Sequence, residues 1–125
     1  MQILIIENRA KPNYQIHHWV KTMAAEKVIK SNGIEALVWL GKGNIPSIIF
    51  ADVDMGLIQG QQFVEYVRAN GFFYDIPIVV LAEAHQREDI ASMIQAGAND
   101  YLVKPIFIAQ VEAKISKLML HQDVA

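Results

Sequence analysis

Carboxylates and a single lysine directly follow the short apolar runs of this chain, and that placement could do chemistry. Ile3 to Ile6 is followed by Glu7 and Asn8, and Ile48 to Ala51 by Asp52 and, two residues on, Asp54. Ile78 to Leu81 leads into Ala82 and Glu83, and Tyr101 to Val103 into Lys104 and Pro105. A carboxylate among other oxygen donors can hold Mg²⁺, a hard ion that keeps several waters beside one or two carboxylates. A lysine facing it would offset phosphate charge. Together these groups could support transfer of a phosphoryl group to an Asp carboxylate, where positioning and charge neutralisation do most of the catalysis. Asp52 is the natural acceptor.

Such chemistry requires the apolar runs to end on one rim. The runs lack polar alternation, as expected of parallel strands covered by helices on both faces, and Val28-Ile29 adds a weaker fifth. Between them the period becomes helical. Ile16, Trp19, Val20 and Met23 fall at i, i+3, i+4 and i+7; Gly60, Phe63, Val64 and Val67 repeat the spacing, as do Ile90, Met93, Ile94 and Gly97. Ile34, Leu37 and Val38 mark a shorter helix, and Ile108, Val111, Ile115 and Leu118 a last one. Five strands alternating with five helices predict a doubly wound α/β/α sandwich with right-handed crossovers. Ligand sites in such sheets lie beyond the carboxyl ends of the strands, where the polar residues above are placed.

Composition narrows the functional classes. The chain has 125 residues, 53% of them hydrophobic and 19% charged, enough apolar surface for one cored domain spanning 1–125. Eleven Lys and Arg against thirteen Asp and Glu give a formal charge of −2. No basic run provides the footprint that direct nucleic-acid binding needs. The absence of cysteine removes disulfides, thiolate zinc sites and thiol nucleophiles. The apolar N-terminus meets Glu7 and Arg9 too soon for a signal peptide or membrane span, so a cytoplasmic domain is expected. The last residues carry no obvious capping signal, which leaves room for a larger parent protein beyond Ala125.

With these residues in place, the chain resembles the receiver domains of two-component response regulators over essentially its whole length. Pro46-Ser47-Ile48-Ile49-Phe50-Ala51-Asp52-Val53-Asp54-Met55 through Gly60 is similar to the family's phosphoacceptor strand and loop. Ala96-Gly97-Ala98-Asn99-Asp100-Tyr101-Leu102-Val103-Lys104-Pro105 is similar to its lysine strand, and the spacings from Asp52 to Ala82 and Lys104 agree. The resemblance implies a five-stranded, flavodoxin-like parallel sheet in the order 2-1-3-4-5. It implies that Asp52 takes a phosphoryl group from a histidine kinase or phosphotransfer protein, that Lys104 pairs with the phosphate, and that the Asp54 main-chain carbonyl is a metal ligand. Tyr101 matches an aromatic whose inward or outward rotamer reports activation. Lys104-Pro105 matches a cis peptide bond, which costs little before proline.

Departures from the family pattern carry expectations of their own. The usual acidic pair after the first strand reads Glu7-Asn8, so an amide replaces one metal-ligating carboxylate and Mg²⁺ affinity should fall. A one-residue slip at the strand end would bring Glu7 inward instead. Ala82 stands where the family has Ser or Thr and deletes a hydroxyl that would bond a phosphoryl oxygen. A neutral-to-charged hydrogen bond contributes about 1.5 to 3 kcal/mol, so phosphorylation should shift the active population less. Glu83 sets a further carboxylate on the pocket rim.

Two other functions suit parts of the same pattern. A phosphorylation-independent docking module would use the fold without the chemistry. Its face of fourth helix, fifth strand and fifth helix, where the family pairs or meets output domains, carries Arg87, Glu88, Asp89, Asp100, Glu112, Lys114 and Lys117. Asp52-x-Asp54 after an apolar strand also resembles the first motif of haloacid-dehalogenase-type phosphohydrolases, although too little chain follows for that family's later acidic pair. His17 and His18 are adjacent on a helix and face different ways, unlike zinc-binding i, i+4 pairs, so both are read as structural or exposed. Trp19, Phe63 and the methionines at helical spacing are expected in the core. Phe72-Phe73-Tyr74 is expected as a partly buried loop, and Gly41-Lys42-Gly43-Asn44 as a turn.

Overall fold

The computed structural model describes residues 1–124, with side chains through Leu118. Strands β1 (Gln2–Ile6), β2 (Glu26–Lys30), β3 (Ile48–Asp52), β4 (Ile78–Ala82) and β5 (Asp100–Val103) alternate with helices α1 (Tyr14–Thr22), α2 (Gly33–Gly41), α3 (Gly60–Ala69), α4 (Arg87–Ala96) and α5 (Ile108–Val124). All four strand pairings are parallel, and the sheet order is β2-β1-β3-β4-β5. The strand order therefore reverses between β1 and β3, so the first strand lies beside the third at the carboxyl edge. That is where a doubly wound sheet opens a crevice.

Each central strand is apolar because both of its faces are covered. Leu4, Ile6, Ile49, Ala51, Ile78 and Val80 pack on one side with Leu40, Phe63, Val67 and Met93 of α2, α3 and α4. Ile3, Ile5, Ile48, Phe50, Val79 and Leu81 pack on the other with Trp19 of α1 and Val111 and Ile115 of α5. Trp19 meets Phe50 edge to face with ring centres 5.9 Å apart. Strand β2 has only one neighbour and is the wettest, which explains its weak apolar signal. Its Lys27 and Lys30 are the kind of charged side chains that blunt an open edge.

Several helical positions sit differently from the periodic expectation. Met23 caps the end of α1 and is half exposed, because Ala24 takes a positive φ of 52° and turns the chain out of the helix. In α2, Gly33, Ala36 and Leu40 are buried, whereas Ile34 and Val38 face solvent. That helix is apolar nearly all round, so its pattern marked a helix without marking its inner face. Ile94 is exposed while Ile90 and Met93 are buried, and Gly97 caps α4 at φ 125°. Of the three aromatic residues in the loop before β4 only Phe73 is buried; Phe72 and Tyr74 project outward. Among the described residues no helix is long and apolar enough to cross a membrane.

Candidate functional site

Asp52 is the last residue of β3 and is buried at 5% exposure, yet its carboxylate has a cation beside it. The Lys104 Nζ donates to Asp52 Oδ2 at 2.9 Å. Strand pairing sets this meeting: Asp52 pairs in register with Leu81 of β4, and the Lys104 N–H continues the β4–β5 ladder by donating to the Ala82 carbonyl at 2.8 Å. The Lys104-Pro105 peptide is cis. The same ammonium lies 4.0 Å from Glu83 Oε1, so the lysine stands between a buried acid and a rim acid.

The loop after β3 folds over the acceptor. The Asp54 N–H donates to Asp52 Oδ1 at 3.3 Å, and the Gly33 N–H at the start of α2 donates to the Met55 carbonyl at 3.0 Å, which moors the loop to that helix. Gly33 has no room for a side chain because Ile58 and Met55 occupy the space a Cβ would need. A cavity of about 160 Å³ opens over Asp52. Asp54, Glu83 and Asn8 line it with Lys104, as do Lys11, His85 and Gln86, which the sequence pattern did not single out.

Glu7 follows a different course. It is buried at 2% exposure, and its Oε1 accepts from the Asn13 N–H and side-chain amide at 2.9 and 3.0 Å. Its Oε2 meets His17 Nε2 at 2.7 Å, while Lys27 Nζ approaches the other ring nitrogen at 3.1 Å. Both carboxylate oxygens are thus engaged by α1 and the residue before it, and Glu7 does not line the cavity over Asp52. Asn8 does line it, although its Oδ1 already accepts from the Ala10 N–H at 2.9 Å. Among the described residues no three His, Asp or Glu side chains cluster closely enough to hold a metal by themselves.

At the β4 end, Ala82 is fully buried and its methyl offers no hydrogen bond. Gln86 bridges the gap: its Nε2 donates to Asp54 Oδ2 at 2.9 Å and its Oε1 accepts from the Glu83 N–H at 2.8 Å. Residue type alone gave no sign of this link, since an isolated glutamine before a helix has no distinctive spacing. Tyr101 is exposed and faces outward, with Lys114 Nζ 4.8 Å from its ring centre. That lysine also pairs with Asp100 at 2.7 Å. Beside Tyr101, Ile90, Ala91, Ile94 and Val103 help line a groove of about 660 Å³, so the face expected to be mixed in charge has an apolar floor.

Comparison with known proteins agrees with this geometry. The response regulator receiver domain model matches residues 3–116. The Regulator of RpoS from Escherichia coli K12 is 30% identical over 105 residues, covering 84% of this chain; the match spans 30% of that longer protein. A putative response regulator from Chloroflexus aurantiacus superposes with a TM-score of 0.86 at 24% identity, covering 95% of this chain and 97% of that one. The receiver domain of sensor histidine kinase PA1611 from Pseudomonas aeruginosa, with magnesium coordinated in its active-site cleft, gives a TM-score of 0.81 at 23% identity, covering 94% of this chain and 95% of that one. A family match across nearly the whole sheet, on a chain whose third-strand aspartate meets the lysine that follows its fifth strand, makes this protein a member of the response regulator receiver domain family.

Proposed function

We propose that this receiver domain is the phosphoacceptor of a two-component system and that Asp52 takes the phosphoryl group from a histidine kinase or phosphotransfer protein. The observation that carries the reading is the 2.9 Å contact between Lys104 Nζ and Asp52 Oδ2 at the mouth of the cavity. An Asp52 oxygen attacks the phosphorus of a phosphohistidine, the P–O bond forms as the P–N bond breaks, and the released imidazole nitrogen keeps the electron pair and takes a proton from water. Lys104 then exchanges part of its contact with the carboxylate for a phosphoryl oxygen, which offsets the added charge.

The donor set suits Mg²⁺ that keeps most of its water: one buried carboxylate in Asp52, the Asn8 amide oxygen and the Asp54 main-chain carbonyl. When bound, Mg²⁺ would neutralise charge on the transferring group. With Asn8 neutral and Glu7 held by α1, we place its affinity below that of a site with two free acids. Residues 1–125 would act as one receiver unit of a cytoplasmic signalling protein, with an output domain or second copy meeting the α4–β5–α5 face. That face's apolar groove beside Tyr101 supports this assignment.

Incubation with phosphoramidate or acetyl phosphate and Mg²⁺, followed by intact mass, tests the reading. Addition of one phosphoryl group, abolished in Asp52→Asn, is the expected result; an unmodified chain would overturn it. The second reading, a docking module that works without phosphorylation, draws on Ala82 and on the Gln86 to Asp54 bond, which ties the cavity wall to the start of α4 without a hydroxyl at position 82. Partner binding that is equal for the wild type and Asp52→Asn would select it. Turnover of p-nitrophenyl phosphate would instead select the phosphohydrolase reading.

A further inference from the structure

The Gln86 side chain is buried at 9% exposure in a stretch whose neighbours, Ala84, His85 and Arg87, are all exposed. Both ends of its amide are used, and they reach different segments. Nε2 donates to Asp54 in the β3–α3 loop, and Oε1 accepts from the main chain of Glu83 at the end of β4. The backbone of the same residue closes the turn, since its N–H donates to the Glu83 carbonyl at 3.0 Å and its carbonyl accepts from the Ile90 N–H at 3.1 Å within α4. Gln86 is therefore joined to the cavity wall, to the strand end and to the first turn of a helix.

Rotation of the planar amide that frees Nε2 from Asp54 also swings Oε1 away from the Glu83 N–H, so movement of this side chain links the two bonds. Asp54 stands two residues from the acceptor and touches it through its own N–H. Negative charge added at Asp52 repels the Asp54 carboxylate, and a cation drawn to Asp54 Oδ2 competes for the oxygen that Gln86 holds. A pair of linked bonds with two arrangements is the kind of element whose equilibrium a ligand can bias.

We propose that Gln86 is the positioning residue that couples the state of the Asp52 cavity to α4, by a route through Asp54 that needs no hydroxyl at position 82. Its signalling meaning rests on the phosphoacceptor reading, whereas the coupling itself exists in the unmodified protein. Removing the Asp54 carboxylate should disturb α4 only while the Gln86 amide is present to transmit the loss.

The test is a double-mutant cycle read by amide nitrogen and proton chemical shifts at Glu83 and Arg87 to Ile90, using Asp54→Ala, Gln86→Ala and both together. Asp54→Ala should displace these signals in the wild-type background and displace them at least about threefold less in the Gln86→Ala background. Equal displacement in both backgrounds would overturn the proposal. Gln86→Glu, which keeps an oxygen for the Glu83 N–H but cannot donate to Asp54, serves as the second background should Gln86→Ala fold poorly. The same samples with Mg²⁺ and beryllofluoride, watched by fluorine resonance, separate the two readings. Bound beryllofluoride that shifts α4 in the wild type but not in the Gln86 variants supports the coupling, and an equal α4 response in all of them overturns it. Absence of a bound fluorine signal while the ligand-free cycle remains coupled rejects the phosphoacceptor reading and keeps the Gln86 link.

Discussion

Glu7 Oε2 and His17 Nε2 lie 2.7 Å apart, so the acid at the end of β1 is tied to α1. The strand continues far enough for the Glu7 N–H to donate to the Lys30 carbonyl at 3.0 Å, which fixes the residue in the β1–β2 ladder while its side chain crosses to the helix. One strand-end acid thus anchors a helix, and its neighbour Asn8 lines the cavity.

Loss of this anchor should be costly. His17→Ala leaves a buried carboxylate oxygen without its partner, and such groups cost about 1–3 kcal/mol. Urea unfolding should show a lower midpoint with an unchanged slope. An unaltered midpoint would mean that the contact adds nothing to stability.

Asn8→Asp should strengthen metal binding, because it adds a formal negative charge to the wall of the cavity over Asp52. An increase in Mg²⁺ affinity of about tenfold, equal to about 1.4 kcal/mol, is expected by calorimetric titration. No change would show that position 8 does not reach the ion.

Lys104→Met should separate chemistry from folding. The lysine is only partly buried, so its removal should cost about 1–3 kcal/mol of stability, less than a fully buried pair would. Phosphorylation by phosphoramidate, followed by intact mass under conditions where the variant remains folded, should slow sharply. Lys104→Arg should retain more of the stability than of the rate, since its broad planar head group cannot occupy the same point beside Asp52.

Ala82→Ser places a hydroxyl where β4 ends beside the site. It should tighten beryllofluoride binding by roughly one to two decades, the equivalent of about 1.5–3 kcal/mol for a charge-assisted hydrogen bond. Fluorine resonance titration measures it, and an unchanged affinity would show that the position 82 side chain does not reach the bound group.

At the opposite end of the sheet, Arg68 donates to the carbonyls of Gly97, Tyr74 and Ile76 and to Asn99 Oδ1, joining α3 to the turns before β4 and β5. Burial lowers its pKa and Asp75 opposes that shift, but an arginine remains charged throughout the ordinary pH range. Arg68→Met should destabilise by at least about 2 kcal/mol in denaturant unfolding, because it strands several carbonyls at once. The rate of Asp52 phosphorylation in the folded protein should stay as in the wild type.

Much of the architecture was legible in the order of residues. Uninterrupted apolar runs at β1, β3 and β4 reflect burial on both faces, and the helical spacing of Phe63, Val64 and Val67 reflects a single inner stripe; both are local consequences of backbone period. The identities of Asp52 and Lys104, and their places after apolar runs, were equally visible. Their meeting was not a local property. It depends on parallel pairing that brings residues 52 positions apart to one edge, and only the tertiary structure decided it. The same holds for Glu7 turning to His17 and for Gln86 reaching Asp54. A side chain's direction at a strand end or helix start depends on which partner the neighbouring element presents, and residue type does not encode that partner.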